Sequence, residues 1–252
     1  MLKLNNKPTK IIILVMVVLV GIGLTIAQIY YGNKNKTEDP RVKQAQVLYG
    51  KYNEYTQNKD YQHVLALLDS IETIYKSTNH YHHSYEMGVL HNNRGAIYLT
   101  IALHEHDSGK TRNHYLDIAE KHFQQSIDIY ESWIDTFGNM DKKSLMKTII
   151  QDFPADDPAF NGLDIQKIRE NRLEDMMLAQ TETPKRLSVS YTNTGIIHRH
   201  HYRFEKALQH YEKALALWEK NHTAKNNLNI LLGKPVEKPN ILERLFPPEK
   251  EK

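Results

Sequence analysis

The sequence predicts an all-α fold, in which an N-terminal transmembrane helix precedes a short solenoid of helical hairpins with insertions. Three observations support this. Nineteen residues from Ile11 to Ile29 carry no charge, and further along the chain apolar residues recur at helical three-and-four spacing. The 252 residues include only 11 glycines and 9 prolines, and most of the prolines lie between the periodic stretches or in the tail. This composition favours helix over sheet.

The uncharged run has the features of a membrane span. At about 1.5 Å rise per residue, a helix of this length crosses nearly the whole hydrocarbon core of a bilayer. Tyr30 and Tyr31 follow at the position where aromatic rings favour the headgroup boundary, and three lysines precede the run. We therefore predict a cytoplasmic tail at residues 1–10 and a signal anchor at 11–31.

A cleaved signal peptide is the alternative interpretation, with Thr25-Ile26-Ala27 as its cleavage site. The anchor is favoured because the apolar run is longer than a usual signal-peptide core. Basic residues also follow the run and dilute the charge asymmetry. We expect a single-pass membrane protein with its C-terminal domain outside the cytoplasm.

Charge and composition exclude several other classes. The net charge of +3 arises from 33 basic and 30 acidic residues. The three lysines before the apolar run account for the whole excess, and the remainder of the chain has 30 of each. No basic run follows that would indicate a nucleic-acid surface. The chain has no cysteine, so disulfides, thiolate metal sites and a cysteine nucleophile are excluded.

Internal repeats define the domain predicted at residues 44–233. The clearest copy begins at Ser188 and consists of two helices. Aromatic and small residues recur at fixed spacing on both: Tyr191, Thr194, Gly195 and His198 on the first helix, and Ala207 and Tyr211 on the second. These positions match W-x2-L-G-x2-Y and A-x3-F, so the segment resembles the tetratricopeptide repeat (TPR) family. The glycine and alanines are expected at close helix contacts.

Two further copies are less regular. One has Gly95 on its first helix and Ala119 on its second, twelve residues further apart than in the clearest copy, and we assign these extra residues to a longer turn around 104–114. The other, at the start of the domain, is degenerate, as terminal repeats often are: Leu48, Tyr52, Tyr55, Val64 and Leu68.

The segments between and after the repeats complete the prediction. We expect a loop or broken helix at 141–163, a helix from Ile165 to Gln180, and a new helix that begins at Pro184. A final helix at 223–232 covers the last repeat and ends before Gly233. A polar linker at 32–43 and a flexible tail at 234–252 flank the domain.

The sequence indicates little chemistry. Its 14 histidines form three dense groups, at 80–83, 104–106 and 198–201. Because neighbours in sequence leave a tetrahedral site incomplete, we predict no metal site and no cofactor. No nucleophile elbow, phosphate-binding loop or dinucleotide fingerprint is present, and we expect a protein that is not an enzyme.

Recognition is the role that the TPR resemblance implies. In that family the first helix of each repeat lines a concave groove, which places the partner-binding residues here at Tyr49, Asn53, Asn92, Ala96, Thr192, Ile196 and Arg199. Simple surface exposure of these residues is the alternative, because insertions change the curvature. The expected function is a membrane-tethered adaptor or assembly factor in the cell envelope that binds a protein or peptide. The alternative function is a histidine-rich, metal- or ligand-responsive module.

Overall fold

The computed structural model describes residues 38–105 and 109–237, and that part of the chain is all-α, with no strand. Its helices are α1 (Lys43–Tyr49), α2 (Tyr52–Gln57), α3 (Tyr61–Ser77), α4 (Asn79–His82), α5 (Tyr85–His104), α6 (Lys110–Phe137), α7 (Lys142–Asp152), a 3-10 turn (Pro158–Phe160), α8 (Ile165–His200), α9 (Phe204–Leu217) and α10 (His222–Leu231). Over the described residues, no helix is both long and apolar enough to span a bilayer. The segments predicted at 1–10 and 11–31, the first half of the linker and most of the C-terminal tail lie outside them.

Two antiparallel helix pairs form the centre of the domain, and each is held close by glycine. A Cβ atom added to Gly95 on α5 would lie 2.8 Å from the Phe123 ring on α6. One added to Gly195 on α8 would lie 2.5 Å from the Tyr211 ring on α9. Because real Cβ atoms do not approach that closely, only glycine permits these helix contacts. The prediction that both glycines are packing positions is confirmed.

The residues predicted to lengthen the turn between α5 and α6 are mostly helical. Helix α5 continues nine residues beyond Gly95, and α6 begins nine residues before Ala119. In the α8–α9 pair the corresponding extensions are five and three residues. The turn itself is therefore only slightly longer, and residues 106–108 of it are not described. The prediction of a long turn was wrong because helices α5 and α6 extend past the point where the repeat pattern ends.

The segment predicted as a loop or broken helix at residues 141–163 is a broken helix: α7 ends at Asp152, and the 3-10 turn follows after a gap. Asp141 caps this helix by accepting a hydrogen bond from the Ser144 backbone N–H at 2.7 Å. Leu145 and Ile149, one helical turn apart, are fully buried against α8 and the domain core. The cap and this apolar spacing account for the helix, while Pro154 and Pro158 affect only the segment that follows.

Helix α8 is continuous through Pro184, contrary to the prediction of two helices. It runs for 36 residues, or about 54 Å, and both of its halves are packed. Met176 lies in one core cluster and Leu187 in another. The Gln180 side chain donates hydrogen bonds to the carbonyls of Phe137, the last residue of α6, and of Met140 just beyond it. This burial on both sides outweighs the roughly 3 kcal/mol that an internal proline costs a helix.

The last helix, α10, closes the end of the α8–α9 pair. It spans His222–Leu231, one residue from the predicted bounds, and Gly233 follows with φ +66°. The Asn221 side chain caps α10 by accepting from Ala224 N at 3.0 Å. Its amide also donates to Ser188 Oγ and Thr192 Oγ1 of α8, so this buried residue fixes α10 against α8.

Candidate functional site

One face of α8 is left open by the surrounding helices. Between Leu187 and His198 every residue is buried except Val189, Asn193 and Ile196. These three are spaced at four and three residues, so they follow one side of the helix. The open side of α8 is therefore a narrow stripe of one amide flanked by two aliphatic side chains.

Helix α5 presents a similar stripe beside it. Val89, Asn92, Asn93 and Ala96 are partly exposed, while the residues between them are buried. The two helices are joined directly, because Ser190 Oγ of α8 donates to Asn92 Oδ1 of α5 at 3.1 Å. We call the surface formed by Val89, Asn92, Asn93, Ala96, Val189, Asn193 and Ile196 the α5–α8 face.

Helix α6 supports this surface from behind. Ser126 donates to the Gly88 carbonyl of α5 at 2.9 Å, and its Oγ lies 3.0 Å from Ser190 Oγ of α8. All of these groups are buried, and Ser126 thereby fixes the relative height of the two stripes. The geometry of the α5–α8 face is thus set by small polar residues in the core.

A tyrosine forms the rim of the face at the α1 end. The Asn93 amide donates to the Tyr49 hydroxyl, and the Tyr49 ring stacks on Tyr52 with centroids 5.5 Å apart. Burial raises the pKa of the Tyr49 hydroxyl well above its ordinary value, so the group is a neutral phenol at physiological pH. Asn93 is thereby held with its amide plane fixed.

Arg186 supplies a cationic group at the same end. Its guanidinium lies 5.5 Å from the centroid of the Tyr85 ring, and its charge acts on the Tyr49 hydroxyl. The side chain is half-buried, yet no carboxylate in the described ranges forms an ion pair with it. The buried arginines differ: Arg94 is paired with Asp69 and Glu72, and Arg172 with Glu86.

The residues predicted for the groove divide into three groups. Asn92, Ala96 and Ile196 lie on the α5–α8 face, and Tyr49 lies at its rim. Asn53 is exposed on α2, and Arg199 is partly exposed at the C-terminal end of α8. Thr192 is buried, since it donates to the Ser188 carbonyl and accepts from Asn221, so its prediction as a groove residue was wrong.

Three groups on this surface were missed from sequence: Arg186, Asn93 and Asn193. A signal for the asparagines was present, because Val89, Asn93 and Gly95 recur one hundred residues later as Val189, Asn193 and Gly195. The glycines face the paired helix, so the asparagine two residues earlier falls on the open side. No local pattern distinguishes Arg186 from other surface arginines.

Two other concave surfaces lie elsewhere on the domain. A cleft of about 400 Å³ between α3, α5 and α6 is lined by Glu72, His91 and Arg94, whose charges are largely paired within the cleft. A wider trough beside α7 is lined by three lysines with Met146 and Ile150. Neither contains a pair of equivalent positions from two repeats.

Comparison of this chain with protein-family models, curated proteins and solved structures finds no match.

Proposed function

We propose that this protein is a membrane-tethered, TPR-like interaction module, an adaptor or assembly factor of the cell envelope that binds a protein partner on the α5–α8 face. The observation that carries the proposal is the half-buried Arg186 without a carboxylate partner, next to two parallel stripes that each present an asparagine. The TPR-like description rests on the repeated helix pairs and their glycine contacts. The tether rests on the uncharged run in the sequence.

The chemistry of the face suits an extended peptide segment. A carboxamide both donates and accepts hydrogen bonds, so Asn93 and Asn193 can pair with the N–H and C=O groups of a peptide backbone. The valines beside them offer apolar contact for alternate side chains. Because the supporting core is packed and hydrogen-bonded, binding costs little reorganisation.

Arg186 indicates the charge of the bound segment. An arginine beside an aromatic ring is partly desolvated, and its fork of N–H groups suits a carboxylate. We expect the partner to place an aspartate, a glutamate or a chain terminus there. Burial of an interface arginine is often decisive, and its loss costs about 2 kcal/mol or more, which is roughly thirty-fold in affinity.

The test is copurification of partner proteins with the full chain from the membranes of cells that express it. Arg186→Ala combined with Asn193→Ala should remove the partners and leave the melting temperature nearly unchanged, since neither side chain is fully buried. Lys206→Ala combined with Gln209→Ala, two exposed positions on α9, is the matched control and should retain them. If the first variant keeps every partner of the wild type, the α5–α8 face is not the binding surface, and the α7 trough becomes the next surface to test.

A further inference from the structure

Two pairs of metal-binding side chains meet where α6 and the C-terminal end of α8 pack together. Asp117 and Glu120 are three residues apart on α6, and His198 and His201 are three residues apart at the end of α8. Residues with this spacing share one face of a helix. The ligand atoms of Asp117, Glu120 and His201 all lie within 4.8 Å of one another.

The histidine nitrogens in this cluster lack hydrogen-bond partners. His198 Nδ1 is buried and unpartnered, its side chain is only 5% exposed, and it lies 3.8 Å from Glu120 Oε1. His201 Nε2 is also buried and unpartnered, and it lies 3.3 Å from Asp117 Oδ1 without hydrogen-bond geometry. A buried polar atom without a partner is unfavourable, so each nitrogen requires an explanation.

The separations fit ligands of a small divalent ion. Zinc binds imidazole nitrogen and carboxylate oxygen at about 2.0–2.2 Å, which places two ligands of a tetrahedral ion about 3.4 Å apart. The His201–Asp117 and His198–Glu120 separations of 3.3 and 3.8 Å are close to that value. Asp117 is 63% exposed, so its side chain is free to move and solvent reaches the cluster.

We propose that Asp117, Glu120 and His201 form a binding site for a divalent first-row transition ion of the zinc type. His198 lies outside that mutually close group, and its Nδ1, 3.8 Å from Glu120 Oε1, would supply the fourth ligand after a small side-chain rotation. Two imidazoles and two carboxylates are a donor set that such ions accept. The sequence predicts no metal site when only histidines close together in it are considered. The two carboxylates come from α6, about eighty residues before those histidines.

The positive groups around the cluster set the affinity. Arg203 lies 3.3 Å from Glu120 Oε2 and competes with an ion for that carboxylate, and the charge of Lys206 also acts on His198. Arg203 is half-exposed and can turn into solvent.

The site is tested by titrating the detergent-solubilised full chain with Zn²⁺ in a calorimeter, together with Co²⁺ absorption spectra. We expect one ion per chain with a dissociation constant of roughly 10 μM or tighter. Asp117→Asn and His201→Ala should each weaken binding at least about tenfold, whereas Arg203→Ala should tighten it. Asp117→Asn changes an exposed group, so it preserves the test if His201→Ala fails to fold.

The control is His82→Ala combined with His83→Ala, an exposed pair with ring centroids 4.5 Å apart that could take up ions adventitiously. It should leave the affinity unchanged. Binding weaker than about 10 μM, or binding that the cluster variants do not reduce or that the control removes, overturns the proposal. None of these outcomes bears on partner binding at the α5–α8 face, which is measured separately.

Discussion

The contact between Gly195 and Tyr211 gives a sharp test of how the helix pairs pack. Gly195→Ala adds one methyl group, which would lie 2.5 Å and 2.7 Å from two carbons of the Tyr211 ring. That ring is fully buried, so it cannot move aside without displacing its own neighbours. The substitution therefore has to separate α8 and α9 locally.

The expected magnitude follows from two opposing effects. Overpacking a dense core costs about 1–3 kcal/mol of the free energy of unfolding. Alanine is favoured over glycine in a helix by about 1 kcal/mol. The net loss should be up to about 2 kcal/mol, which lowers the melting temperature of a domain of this size by at most about 4–8 °C.

Gly50→Ala is the matched control. Gly50 is exposed at the end of α1 with φ −57° and ψ −24°, a conformation that alanine adopts readily. Gly50→Ala should raise the free energy of unfolding by about 0.4–1 kcal/mol, so the two variants should differ by about 0.4–3 kcal/mol.

Urea unfolding of residues 32–252, followed by circular dichroism, measures these free energies. In a Tyr211→Leu background the ring is gone, and Gly195→Ala should lose its penalty, with a coupling energy of at least about 1 kcal/mol. If Gly195→Ala stabilises the domain as much as Gly50→Ala does and shows no coupling to Tyr211, the close contact does not exist.

Three further predictions concern the domain as a whole. Removal of residues 1–31 should give a soluble, mainly helical protein, and an aggregated or sheet-rich product would refute the fold. Burial lowers the pKa of His91 to about 4, and Arg94 and His122 reinforce this while Glu72 opposes it. Below about pH 6.5, His91 therefore binds a proton in the unfolded chain but not in the folded chain. The free energy of unfolding is retained above that pH and falls by about 1–2 kcal/mol towards pH 5. Urea midpoints should show this fall and a shallower one in His91→Asn, whereas equal midpoints at pH 7 and pH 5 in the wild type would contradict it. Asn221→Ala removes a buried cap with two further hydrogen bonds and should lower the free energy of unfolding by about 2–3 kcal/mol. Asp141→Ala removes an exposed cap and should lower it by roughly 1 kcal/mol. Similar losses for the two variants in thermal melts would mean that Asn221 does not fix α10 to α8.

Local patterns predicted the helices and their contacts well. Gly95 and Gly195 were predicted at close helix contacts, and each lies against an aromatic ring of the paired helix where no larger residue fits. The stop at Gly233 placed the end of the last helix to within one residue.

The errors came from tertiary contacts. Pro184 signals a helix start, but packing of both halves of α8 keeps that helix continuous. Thr192 occupies a groove position in the repeat pattern, but it is buried and bonded to Asn221, the cap of α10. The Asp117–His201 cluster joins residues from two helices, and no sequence spacing reveals that they meet. Arg186 stands out only in the structure, where the buried arginines Arg94 and Arg172 form ion pairs and Arg186 forms none with the described residues.

The most direct test of the proposed binding surface is site-specific crosslinking in native membranes. Because the chain has no cysteine, single substitutions place a crosslinker at one position only. Val189→Cys and Asn193→Cys should capture the same partner, and Arg186→Ala should reduce both crosslinks. Gln209→Cys, on the outer side of α9, should capture none. Equal crosslinking at position 209, or none at 189 and 193, would contradict the assignment of partner binding to the α5–α8 face.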